Sequence, residues 1–112
     1  MSREWQLYWS DILQCCRKVL RYVDGMTREQ FEADERTYDA VLRNLEIIGE
    51  AVKHLPDEAR TLAPQIEWRN IAGFRDIVAH AYFGIDSEIV WDIVSTKVPD
   101  MLREMDAVDL NN

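Results

Sequence analysis

The chain has 112 residues, among them 4 glycines, 3 prolines, 13 basic and 21 acidic side chains, for a formal net charge of −8. That length fits one domain with its own core, residues 1–112, and requires no second. The charge excludes broad attraction to nucleic acid or anionic membrane, so any RNA contact has to be local, while docking on a basic protein partner would suit it.

Scarce Gly and Pro beside frequent Leu, Ala, Glu, Arg and Val favour helices over hairpins, so the expected class is all-α. Met1-Ser2-Arg3-Glu4-Trp5 carries charge from the start and no apolar run, which predicts no signal peptide, no spanning helix and a cytoplasmic protein. From Arg3 to about Asp24, apolar residues recur at Trp5, Tyr8, Trp9, Ile12, Cys16, Val19, Leu20 and Val23, the three-and-four spacing of one helix face, and Gly25 ends the run. Cys15 and Cys16 are neighbours on that helix with side chains about 100° apart, which argues against a bridge. No Cys and His spacing of the zinc-finger kind occurs, so no metal is expected and both cysteines read as small buried hydrophobes.

Thr27-Arg28-Glu29-Gln30 has the form of a capping box, with Met26 and Phe31 placed to staple across it. The helix it opens is predicted to run to His54 along a seam of Tyr38, Val41, Leu45, Ile48, Val52 and Leu55, suited to antiparallel packing. Asn44 is expected at the solvent border of that seam, and His54 to meet the helix dipole. Gly49 and Gly73, mid-helix at a cost of about 0.8–1 kcal/mol each against Ala, are expected to permit close helix crossing.

Pro56 stops the second helix, and Pro56 to Pro64 reads as a short helical turn and connector. A shorter helix spans about Trp68 to His80. Gly84 interrupts, Asp86 is placed to cap the next start, and Ser87 to about Val108 forms the last helix, bent or restarted at Pro99. The expected assembly is an up-and-down four-helix bundle with a short additional helical turn. Trp5, Trp9, Trp68 and Trp91 read as packing residues rather than stacking platforms for RNA. Arg69, Arg75, Lys97 and Arg103 would make a modest basic patch if the last two helices meet there.

Functional residues concentrate between Arg75 and Tyr82. At 100° per residue, Ile71, Phe74, Ile77, Val78 and Ala81 share a core face, with Arg75 and Tyr82 at its edge. His80 lies about 140° from Arg75, with Asp76 one turn before it on the same side. An edge arginine is commonly a solvated charge, and a histidine near a helix C-terminus often serves only the dipole. The chemical reading is that Asp76 orients the imidazole, His80 transfers protons near neutral pH, and Arg75 neutralises an anionic transition state.

The run from Arg75 to Tyr82 resembles the R-x-x-x-x-H-x-Y pattern of HepT-like toxins in the HEPN superfamily, including a polar residue, Asp76, directly after the arginine. Leu45-Glu46-Ile47-Ile48-Gly49-Glu50-Ala51, Trp68-Arg69-Asn70-Ile71-Ala72-Gly73-Phe74, and Tyr82-Phe83-Gly84-Ile85-Asp86 followed by Ile89-Val90-Trp91 are similar to the same family. The resemblance implies a HEPN-like, dimeric fold and a cofactor-free, metal-independent endoribonuclease toxin, encoded beside a MntA-like nucleotidyltransferase antitoxin. It implies that Arg75 and His80 act on an RNA phosphodiester, with the 2′-hydroxyl as nucleophile and a cyclic phosphate as product. An imidazole can take and give protons near neutrality, and a guanidinium can grip phosphate with two donors. Glu50 would support the motif. Tyr82 would be the residue that the antitoxin modifies with AMP, blocking the RNA path and occupying Arg75.

On a regular helix Arg75 and His80 of one chain cannot converge on one phosphate, so a second copy is expected to complete the site and the protein to be a homodimer. The alternative is a non-catalytic helical binding subunit of a nucleotidyltransferase complex, a reading that the net charge and the separation of Arg75 from His80 both favour.

Overall fold

One unbroken helix, α1 (Trp5–Val23), opens the computed structural model and buries Trp9, Ile12, Cys15, Cys16 and Val19. Residues 4–84 and 86–110 are described; the helix start expected at Arg3, and Ile85 of the family-like run, lie outside the described residues. Gly25 turns the chain out of α1 at φ 77, a left-handed conformation that costs glycine nothing. The capping box forms as read. Thr27 Oγ1 accepts from the Gln30 N–H at 3.1 Å, and Gln30 Oε1 accepts from the Thr27 N–H at 2.9 Å. Phe31 is wholly buried and Met26 packs against the same core.

The second helix is not continuous. α2 (Arg28–Ala33) ends at Asp34, whose backbone is extended and whose carboxylate accepts the Thr37 N–H at 3.2 Å to start α3 (Glu35–Lys53). Phe31 and Tyr38 are seven residues apart, a step that periodicity alone reads as unbroken helix. The local preference of Asp for an N-cap wins over that pattern. Along the seam, Val41, Leu45, Ile48, Val52 and Leu55 are buried and Tyr38 is partly so. Asn44, expected at the solvent border, is buried instead; its Nδ2 donates to the Ala40 carbonyl at 2.8 Å, which offsets the cost of burying the amide.

Pro56 begins α4 (Asp57–Arg60), the short additional turn. Arg60 folds back over the end of α3, its Nε donating to the Leu55 carbonyl at 3.1 Å and its Nη2 to the Val52 carbonyl at 3.0 Å. These are carbonyls a helix end leaves without partners. The Trp68 indole in turn donates to the carbonyls of Arg60 and Ala63, at 3.0 and 3.1 Å, so the connector is pinned from both sides.

The helix expected from Trp68 to His80 is broken at Gly73 into α5 (Trp68–Ala72) and α6 (Phe74–Ala81). A Cβ on Gly73 would meet only the Asn70 and Arg69 carbonyls of its own preceding turn, so this glycine marks a corner and not a crossing. Gly49 is the crossing. A Cβ there would stand 3.3 Å from the Ile71 carbonyl and from Phe74 Cβ, and 3.5 Å from the Arg75 nitrogen. α7 (Ser87–Asp92) runs into a π-helical turn over Ile93–Lys97 and then α8 (Val98–Asp106), with Pro99 in its first turn. Pro99 has no N–H to donate and its ring crowds the carbonyl four residues back, and the wider turn ahead of it relieves both.

α1 packs against α3 and α8, α5 and α6 lie on α3, α2 covers α3, and α7 joins α6. This is the all-α, HEPN-like bundle, with no strand among the described residues. Trp9 and Trp68 are buried with ring centroids 5.9 Å apart, and Phe31 sits between Tyr38 and Trp91 at 5.2 and 5.4 Å, so these aromatics serve packing. No helix among the described residues is long and apolar enough to cross a membrane.

Cys15 and Cys16 are free thiols within this core, and burial pushes Cys16 up to about 12 from the ordinary 9.0. A pKa raised by folding means the protonated thiol stabilises the native state fully below pH 9.0, and that contribution is lost as pH climbs toward about 12. Urea midpoints measured across this alkaline window should therefore fall more steeply for the wild type than for Cys16→Ala. Parallel slopes would show that the thiol is not protected by burial.

Candidate active site

α6 is amphipathic in the manner its sequence sets out: Phe74, Val78 and Ala81 are buried while Arg75, Asp76 and His80 are exposed. Both of its ends are held by α3. The N-terminal turn is seated on Gly49, where no side chain intervenes. At the other end the Tyr38 hydroxyl donates to the Ala81 carbonyl at 3.2 Å. Burial, and then the nearby Glu32 and Asp39 carboxylates, push this phenol's pKa up, so it remains a donor.

Arg75 is fixed from the α3 side. Its Nη1 donates to Glu50 Oε2 at 3.0 Å, a one-point contact that leaves the guanidinium's remaining N–H groups able to meet an anion. The other Glu50 oxygen stands 3.7 Å from His54 Nε2, and the His54 ring stacks on Tyr8 of α1 at 4.4 Å between centroids. Arg75 and Glu50 line a groove of about 350 Å³ with Arg43, Glu46 and Ile47. All of these are surface groups, so the ion pair contributes orientation more than stability.

His80 turns elsewhere. Its Nδ1 lies 3.7 Å from Asp86 Oδ2, too far for a hydrogen bond. Asp86 stands at the start of α7 with φ 68, a left-handed conformation that aspartate tolerates, and its side chain makes no capping bond there. Asp76 is exposed one turn before His80, and among the described residues it forms neither hydrogen bond nor ion pair with the imidazole. Asp86 is thus the carboxylate within reach. It was hidden from helical projection because the chain must first turn at Gly84, φ 76, to bring it back. The signal available was that Gly followed closely by an Asp.

Tyr82 caps α6 and is half-exposed. Between Arg75 and His80, five residues of α-helix amount to about 7.5 Å along the axis and about 140° around it. Their different partners, Glu50 and Asp86, keep the two groups on separate sides of the chain.

Of the residues considered for a basic patch, Arg69, Arg75, Lys97 and Arg103, only two line the groove between the last helices, and acidic groups accompany them. Lys97 and Arg103 do line one groove, of about 410 Å³, between α5–α6 and α7–α8, but Glu67, Asp92, Asp100 and Glu104 line it with them, and neither Arg69 nor Arg75 does. Arg103 Nη2 is paired with Asp100 at 2.9 Å. No group of three or more His, Cys, Asp or Glu side chains that could hold a metal ion occurs among the described residues.

Residues 12–108 match the family described as Ribonuclease HepT-like. A protein of Methanocaldococcus jannaschii that carries the provisional name of an RNase is 43% identical over 98 residues, 88% of this chain and 81% of its own. One of Caldanaerobacter subterraneus with the same kind of name is 39% identical over 98 residues, 88% of each chain. A Thermococcus cleftensis protein named a probable ribonuclease HepT is 38% identical over 101 residues, 90% of this chain and 92% of its own. No solved structure matches the chain. The family match runs through both the helix bearing Arg75 and His80 and the helix that seats it, and the chain belongs to the HepT-like ribonuclease family of the HEPN superfamily.

Proposed function

We propose that this protein is an endoribonuclease that needs no metal and cuts RNA in a cleft shared by two copies of the chain, with Arg75 and His80 as catalytic residues. What supports the reading is the family match through this helix, and the divergence of the two exposed groups on it then calls for a second copy: a single copy presents each to a different side, and a twofold partner would supply the missing one. The 2′-oxygen of the RNA attacks phosphorus and its proton passes to an imidazole. The bond to the 5′-oxygen breaks, that oxygen takes up a proton, and a cyclic phosphate remains. Arg75 meets the negative charge that builds on the non-bridging oxygens, Glu50 holds the guanidinium in place, and Asp86 lies on the Nδ1 side of the His80 ring, with Asp76 one helical turn before His80.

A symmetric shared cleft makes a specific demand on mixtures. Arg75→Ala and His80→Ala should each be inactive, yet co-refolded in equal amounts they should regain about a quarter of wild-type activity, because half the dimers are mixed and each has one intact cleft. No recovery, with mixed dimers shown to form, would rule out the shared site.

The same reading makes the protein the toxin of a toxin–antitoxin pair in the cytoplasm, neutralised by a MntA-like nucleotidyltransferase. The Tyr82 phenol oxygen, half-exposed at the end of α6, would attack the α-phosphorus of ATP on that partner and displace pyrophosphate. The resulting adenylyl group adds bulk and negative charge beside the motif. Incubation with the partner and ATP should raise the mass of the wild type and leave Tyr82→Phe unchanged; equal gains would exclude Tyr82 as the sole acceptor.

A further inference from the structure

Phe83 is 84% exposed, the most open of the large apolar side chains that reach solvent among the described residues. The other two phenylalanines, Phe31 and Phe74, are buried. Its backbone, by contrast, is firmly placed. The Tyr82, Phe83 and Gly84 N–H groups donate to the carbonyls of Val78, His80 and Ala81 at 3.1, 3.2 and 3.0 Å, so the turn closes on the very residue that carries the imidazole. No ring or cation contact is made by Phe83 among the described residues, whereas Phe31, Tyr38 and Trp91 pack ring against ring in the interior. A large ring held out on an ordered turn leaves apolar surface in water, and it sits three residues from His80 in a chain of net charge −8, which has no general electrostatic hold on RNA.

From this placement we infer that Phe83 is a stacking platform for an unpaired nucleobase of the substrate, next to the phosphodiester that His80 addresses. The inference rests on the ribonuclease reading of that site. Stacking on a fixed ring is insensitive to charge, so it supplies a local grip that the acidic surface does not oppose. It also favours bases with larger π-faces, so a purine beside the cut would be preferred.

The test is made in the full chain with His80→Ala as background, so that RNA binds without being cut. Short single-stranded oligoadenylate, oligouridylate and a base-free ribose-phosphate strand of equal length serve as probes. Phe83→Ala should weaken binding of oligoadenylate by about 5- to 150-fold, the ~1–3 kcal/mol of one stacked base, and lessen its advantage over oligouridylate. Phe83→Trp should restore both, and all three proteins should bind the base-free strand equally. Unchanged affinity of Phe83→Ala for oligoadenylate would overturn the inference. So would an equal loss on the base-free strand, which would make the effect structural, or a change in sedimentation of the protein alone, which would make Phe83 a contact between copies. Cleavage by the chain with His80 intact is measured beside these: a chain that fails to cut sinks the nuclease reading, whereas one that cuts equally well with and without Phe83 sinks only the platform.

Discussion

His80→Ala is expected to slow RNA cleavage by about 10²–10⁴-fold, the range that removal of a positioned proton-transfer group produces. The imidazole is exposed and its nearest recorded partner is Asp86 at 3.7 Å, so the loss should come without unfolding: surface changes of this kind usually stay within about ±0.5 kcal/mol. Initial rates on labelled RNA in the presence of a chelator, set beside urea curves of both proteins, separate the two effects. Neighbouring carboxylates sharpen the result. Asp86→Asn removes the carboxylate 3.7 Å from the imidazole and should lower the rate by more than Asp76→Asn, whose carboxylate makes no hydrogen bond or ion pair with His80 among the described residues. A variant without His80 that cuts at the wild-type rate would sink the mechanism, and cleavage by neither protein would leave the non-catalytic binding subunit as the role of the fold.

Trp9→Ala should produce the largest loss of stability in the chain, about 3–5 kcal/mol, since it removes a fully buried indole and leaves a cavity behind. Trp9 is 1% exposed and lies between the rings of Trp5 and Trp68, at 6.1 and 5.9 Å. Domains of this size are stable by only about 5–15 kcal/mol, so the variant should lose between about a fifth and all of that margin and unfold at markedly lower urea. Trp68 begins α5 and its indole fastens the connector, so losing its neighbour should also loosen the approach to α6. Equilibrium unfolding by circular dichroism reads the first effect, and hydrogen exchange at α5 the second. A cost below about 1.5 kcal/mol, the level of a conservative core swap, would mean the site collapses around the missing ring.

Much of the architecture could be read from residues in order. The apolar spacing of α1, the Thr27 box, the Pro56 stop and the Pro99 restart each depend on a few neighbouring positions, and the structure follows them. What escaped depends on a competition that spacing does not register. At Asp34 a short side chain captures the Thr37 N–H and splits a helix whose heptad step carries on across the gap. At Gly73 a residue taken for a crossing proves to be a corner, because the helix that would cross there lies at Gly49. The Arg75 to Tyr82 segment was conspicuous through its motif, and Glu50 through a similarity in α3, but the pairing of Glu50 with Arg75 spans twenty-five residues and needed the folded chain. Asp86 was legible as a cap but not as the carboxylate beside His80, because it follows the end of α6, where projection on a helix no longer says where a side chain goes.

Gly49 lets α3 approach the Ile71 carbonyl, Phe74 Cβ and the Arg75 nitrogen closely, with no side chain of its own between them. Here the backbone that carries Arg75 lies so close that even a methyl group on residue 49 would press on it. In the proposed two-copy enzyme, each copy would have to arrive with its half already aligned, and the missing methyl of Gly49 is what lets the helix carrying Arg75 sit so close.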